Sequence, residues 1–134
     1  MKDMQYNRNE RADSVIRPAL GRIEEQARHE VPKMNERFPD PNSKVKVIGH
    51  DVPGLKKISG TFSVERRTER GTRVAEFVPN YDNWTVNLIF SDGRSKIYHI
   101  PQSSTPDNAT FKGPDRDFTE NEIALEGCRF VCQE

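Results

Sequence analysis

The sequence predicts an α+β domain in which a long N-terminal helix packs on a four- to five-stranded antiparallel β-meander, with a short C-terminal helix as an option. Three features carry this expectation. A hairpin is written into residues 84–100, a helical apolar stripe runs through residues 9–38, and alternating segments bounded by turn residues fill the stretch between. A one-sided sheet and a lone amphipathic helix each leave an apolar surface in water. Packing one on the other removes both.

The helix comes first along the chain. Ala12, Ile16, Ala19, Leu20, Ile23, Ala27, Val31, Met34 and Phe38 recur at steps near three and four, and Arg22, Glu25, Gln26, His29 and Glu36 occupy the other face. Pro18 is expected early in a helix capped near Asp13 or Ser14, where a missing N–H costs little. Pro32 is expected to end or kink it, and residues before Asn9 to fray. Phe38-Pro39-Asp40-Pro41-Asn42-Ser43 reads as a stiff loop. A strand follows over Lys44–Ile48, then a turn at His50-Asp51-Val52-Pro53-Gly54. From Leu55 to Arg66 the alternation places Ile58, Phe62 and Val64 inward. Gly60 marks a bend, and Thr72–Val78 returns antiparallel.

In the 84–100 hairpin, Trp84, Val86, Leu88 and Phe90 repeat with period two and share one strand face. The turn sets the register. A two-residue Asp92-Gly93 loop would pair Val86 with His99. A three-residue Ser91-Asp92-Gly93 loop, with Gly93 left-handed, pairs Val86 with Tyr98 and Trp84 with Ile100. The second places apolar residues opposite apolar residues. It also lets the stems of Lys96 and Arg94 cover Leu88 and Phe90, so it is the preferred register. The opposite face carries Thr85, Asn87, Ile89, Ser95, Ile97 and His99, a mixed set that is either solvated or lines a shallow pocket.

Residues 101–117 read as a long polar loop. Thr119 and Glu122 then match a capping box, with Phe118 and Ile123 as its staple, so a short helix ended by Gly127 is expected. A strand through Ile123 and Leu125 competes with it, and residues 119–126 stay open between the two. Cys128–Gln133 is assigned to a terminal strand in either case. The two cysteines would then lie roughly 13 Å apart, too far for a disulfide. In a helix they would be neighbours. Buried, reduced thiols are expected.

At 134 residues the chain fits a single domain spanning 1–134. Hydrophobic residues make up 33% and charged residues 31%, with no apolar run long enough to span a membrane. The first ten residues lack the apolar core of a signal peptide, which points to a cytoplasmic protein. Formal net charge is zero but unevenly spread. Residues 45–100 hold nine Lys or Arg against six acids, and residues 101–134 hold three against seven. Such segregation fits internal pairing or a two-signed binding surface, while overall neutrality weighs against a general nucleic-acid binder.

No glycine-rich phosphate loop, nucleophile elbow or His-Glu-x-x-His motif is present, and nothing calls for a cofactor. Glu25 and His29 lie four apart as two metal ligands might, but no second pair joins them, so no metal site is assigned. His50-Asp51 reads as a turn. The leading candidate surface is basic: Lys56, Lys57, Arg66, Arg67, Arg70 and Arg73, on two adjacent strands and their loop. Arginines there suit bidentate contacts to carboxylate or phosphate; as a plain edge they would block sheet-to-sheet aggregation. An alternative pocket would use Tyr81, Asp82, Trp84, Tyr98 and His99, with His99 and Asp82 doing acid–base work. The expectation is therefore a small, non-catalytic interaction protein. It would bind a protein partner through the basic strand edge, the 101–117 loop or both. Nucleic acid is a weaker option, a homo-oligomer is possible, and a small-molecule pocket or enzyme site between helix and sheet is the alternative.

Overall fold

The structure, a computed structural model, describes residues 2–49 and 58–133, with side chains from Glu10 onward. The elements are α1 (Lys2–Asn35), β1 (Lys46–Gly49), β2 (Phe62–Thr68), β3 (Gly71–Asn80), β4 (Thr85–Phe90), β5 (Ser95–His99), β6 (Phe111–Lys112), β7 (Asp117–Phe118) and α2 (Glu120–Cys132). All seven strands form one antiparallel meander in sequence order. The α+β class holds, with more strands than expected. The added pair, β6 and β7, comes from the far part of the anticipated 101–117 loop. Phe111 is fully buried there, which gives a short polar segment a reason to pair. The rest of that loop is tied down. Arg11 donates to the Gln102 carbonyl, and Arg22 donates to the Pro106 carbonyl at 2.7 Å while pairing with Glu120.

The stripe of α1 is buried as its spacing dictates, with Ala12, Ile16, Ala19, Leu20, Ile23 and Ala27 all out of water. The prolines do not interrupt it. Pro18 and Pro32 both lie inside α1 and both are exposed. Each removes one N–H on the solvent side, where water reaches the carbonyl left free. The helix is continuous from Lys2, ahead of the expected start near Asn9.

The 84–100 hairpin has the three-residue register. Val86 pairs with Tyr98 and Leu88 with Lys96, the Ile100 N–H donates to Trp84 O at 2.8 Å, and Gly93 has φ 95°. Trp84 itself closes the β3–β4 turn at φ 54°, a left-handed conformation rare for a bulky residue. Its ring is buried, which offsets that strain.

Ile58 departs from expectation. The alternation places it inward on a strand from Leu55, but the strand begins at Phe62 and Ile58 is 51% exposed. The Gly60 bend, at φ 95°, separates the two. The start of that expected strand and the His50–Gly54 turn lie outside the described residues.

The largest correction concerns the C-terminus. Residues 119–126 are helical, with the capping box formed at both of its hydrogen bonds. The helix does not stop at Gly127, and no terminal strand follows among the described residues. It runs on to Cys132, so Cys128 and Cys132 are helical neighbours, both reduced. Gly127 faces the sheet. A Cβ there would stand 2.6 Å from Cζ of Phe77 and 3.4 Å from Cβ of Ala75. The residue that reads as a stop signal is a notch that seats the helix.

Through that notch α2 lies over β2, β3 and β4, and α1 packs chiefly along α2, with β1 and β3 also in contact. The short helix, not the long one, occupies the middle of the sheet. Phe62 and Phe77 stack at 4.4 Å beneath it, and Phe90 meets Phe130 at 4.6 Å. Among the described residues no helix packs on the other sheet face. Ile89, at 41%, and Ile97, at 50%, stand exposed on it beside Ser95 and His99.

Gly127→Ala raises helix propensity yet should lower stability by about 1–3 kcal/mol through overpacking against Phe77. Urea unfolding measures it. A stabilised variant would mean that α2 does not sit on the sheet at this distance.

Candidate functional site: an arginine cleft at the end of the C-terminal helix

The last carbonyls of a helix have no intrahelical donors, and the dipole concentrates negative charge there. In this chain two arginines answer that requirement. Arg66 on β2 and Arg73 on β3 are direct cross-strand partners. They continue the inward-facing rows begun by Phe62 and Val64, and by Phe77 and Ala75, just past the point where apolar residues stop. Arg66 donates from Nε to Val131 O at 2.7 Å and from Nη2 to Gln133 O at 3.1 Å. Arg73 donates from Nε to Phe130 O at 2.8 Å and from Nη2 to Gln133 Oε1 at 3.3 Å. Both guanidinium groups also lie over aromatic rings, Arg66 on Phe38 at 4.1 Å and Arg73 on Phe130 at 4.0 Å. Arg66 is only 4% exposed.

Beside this end of α2 opens a cleft of about 540 Å³. The segment after α1 forms one wall, with Arg37, Phe38, Pro39, Asp40 and Ser43. The tip of the β2–β3 hairpin forms the other, with Thr68, Glu69 and Arg70. Arg66 lies between them. Each wall is fixed by local hydrogen bonds. Asp40 Oδ1 accepts from the Asn42 N–H at 2.9 Å and so starts the 3-10 turn Pro41–Ser43. Thr68 Oγ1 donates to Gly71 O at 2.8 Å and accepts from the Arg70 N–H at 3.1 Å. Arg37 and Arg70 are exposed, and neither forms an ion pair with a carboxylate among the described residues. Two cations without an ion pair to a carboxylate among the described residues thus line one concavity, and Arg37 also acts on the Cys132 thiol.

The anticipated basic set is split by this arrangement. Arg66 and Arg73 hold the end of α2. Arg70 lines the cleft. Arg67, next to Arg66 on the strand, lies on the other sheet face and is exposed. Lys56 and Lys57 lie outside the described residues. Arg37 was missing from the set. In sequence it is a charged residue after a long helix, and only the return of the chain through β1 to pair with β2 brings it opposite the hairpin tip.

The alternative residues do not converge on one cavity. Tyr98 and His99 are consecutive on β5 and lie on opposite faces, Tyr98 buried and His99 exposed. Trp84 is buried under α1, with the Arg11 guanidinium 5.8 Å above its ring. Tyr81 and Asp82 line a separate open depression near Glu10, Asp13 and Arg17. Burial, reinforced by the nearby Glu126 carboxylate, pushes the Tyr98 phenol from 10.0 up to about 12. Burial likewise raises the Cys128 thiol from 9.0 to about 12. Cys132 is raised by burial against the opposing pull of Arg37 and Arg66. Both thiols are thus held further from the thiolate form than an ordinary cysteine. Among the described residues no group of three His, Cys, Asp or Glu could hold a metal ion, and Glu25 and His29 are exposed on α1. No helix among the described residues is long and apolar enough to cross a membrane.

No family model, curated protein or solved structure matches this chain.

Arg66→Ala should cost about 2–4 kcal/mol of stability, because it strands helix carbonyls in a buried place. Arg70→Ala should change stability by less than about 0.5 kcal/mol. Chemical denaturation of both variants checks the contrast; similar values would dissolve the division into structural and free arginines.

Stability should fall as pH rises past the ordinary values of the buried groups. The unfolded thiol and phenol release their protons near 9.0 and 10.0, while the folded Cys128 and Tyr98 hold theirs to about 12. The folded state then binds more protons, and its advantage is lost across that window. Tyr98→Phe should flatten the upper part of this fall. At neutral pH it should leave stability equal or higher, because the Tyr98 hydroxyl is buried with no hydrogen-bond partner among the described residues.

Proposed function

We propose that this protein is a small, non-catalytic, cytoplasmic interaction protein that receives an acidic segment of a protein partner in the arginine cleft. One observation carries the reading: Arg37 and Arg70 line the same cleft, and neither pairs with a carboxylate among the described residues. Exposed guanidinium groups flanking a concavity favour a ligand that brings negative charge, and their fork geometry favours carboxylate or phosphate oxygens. Phe38 and Pro39 in the same wall add apolar surface for the partner's chain. Nucleic acid fits less well, because the cleft is lined by a single aromatic ring, Phe38, and Arg66 already covers one of its faces. A catalytic reading has little support, since the titratable groups that might act are either buried and protonated or spread over different faces.

The test is fluorescence anisotropy with a labelled glutamate-rich peptide, at low and physiological salt. Saturable binding that weakens with salt is expected, with a loss of at least about tenfold in the Arg37→Glu/Arg70→Glu double variant. The unfolding midpoint of that variant should stay close to that of the parent. Binding unaffected by the double charge reversal would remove the cleft from the reading.

A further inference from the structure

Resting on that reading, we infer that the group seated in the cleft is a phosphate ester carried on the partner's peptide chain, rather than a carboxylate. Donor number and direction distinguish the two. A carboxylate is flat, with two oxygens in one plane and a single charge that one guanidinium fork balances. A phosphate monoester presents three terminal oxygens in tetrahedral directions and carries close to two charges at neutral pH, so it is best met by several donors from different sides. The cleft has that distribution. Arg37 comes from the end of α1, Arg70 from the hairpin tip, and Arg66 from the strand between them.

Arg66 is the fixed member. Its Nε and Nη2 are spent on Val131 O and Gln133 O, and its plane is held against Phe38, while Nη1 makes no hydrogen bond within the described residues. A donor locked by the fold loses little entropy when an oxygen arrives. Ser43 adds a hydroxyl that has no partner among the described residues. Phosphate recognition by clustered arginines with a hydroxyl is a recurring mode of peptide binding.

Two acids lie in the same cleft and must be reckoned with. Asp40 is turned into its own 3-10 turn, where Oδ1 accepts the Asn42 N–H. Glu69 is exposed at the hairpin tip and makes no ion pair among the described residues. It opposes an anion and so offers a handle of opposite sign. The volume, about 540 Å³, exceeds what a bare phosphate fills, which favours a phosphorylated side chain with its neighbouring backbone.

The experiment follows the arginine Nε–H signals of the isotope-labelled full chain by NMR during three titrations. The probes are a short glycine-flanked phosphoserine peptide, the same peptide with glutamate in place of phosphoserine, and inorganic phosphate. Saturable shifts at Arg37, Arg66 and Arg70 are expected with the phosphopeptide, at least about tenfold tighter than with either other probe. Arg70→Glu should abolish them without unfolding the chain, and Glu69→Gln should tighten binding. Equal affinity for the glutamate peptide would overturn the phosphate inference and leave the acidic-segment reading standing. Equal affinity for inorganic phosphate would overturn the peptide part. If no probe binds, or if Glu69→Gln weakens binding, both readings fall.

Discussion

The seating of α2 on the sheet is the constraint from which most of the architecture follows. A helix packs at this distance only where a side chain is missing, and Gly127 supplies that gap opposite Phe77. Once seated, the helix ends over the inward rows of β2 and β3, with carbonyls that need donors in a place water reaches poorly. Arg66 and Arg73, cross-strand partners at that level, supply them. The sheet thus contributes aromatic rings beneath the middle of the helix and guanidinium groups at its end. α1 then has a second helix to lie along as well as a sheet edge, which explains how it buries its stripe from Ala12 to Ala27 on a small domain.

The division of the arginines between structure and surface follows from the same geometry. Strand alternation sends Arg66 inward and Arg67 outward, and the hairpin turn releases Arg70 from either role. Arg66 belongs to both worlds. Two of its nitrogens close the helix, and the same residue lines the cleft. A charge brought to the cleft would therefore act on the residue that closes α2.

Much of this was legible in the sequence, for identifiable reasons. The 84–100 hairpin could be set to the residue because only one register puts Tyr98 and Ile100 opposite apolar partners. The capping box around Thr119 was legible because its two hydrogen bonds are local. Gly127 was misleading, since a glycine after an apolar run marks a helix stop and a close packing contact equally well, and only the ring of Phe77 decides between them. Pro18 and Pro32 misled in the same direction, as breaks in a helix that runs on: their exposure, a tertiary fact, makes them harmless. β6 and β7 are too short for any periodicity to announce them. The cleft was half legible. The arginines of β2 and β3 stood out as a cluster, but their different fates depend on a helix read as ending earlier, and Arg37 joins them only through long-range pairing.

The order of elements along the chain has a consequence for how the molecule is made. The seven strands pair with sequence neighbours, so the sheet grows hairpin by hairpin as each turn emerges from the ribosome. α1 is synthesised first, yet its main partner, α2, follows the whole meander. During that interval Ile16, Leu20 and Ile23 lack their final cover. The nascent chain therefore carries an exposed greasy ridge until α2 has been made, a surface of the kind chaperones bind.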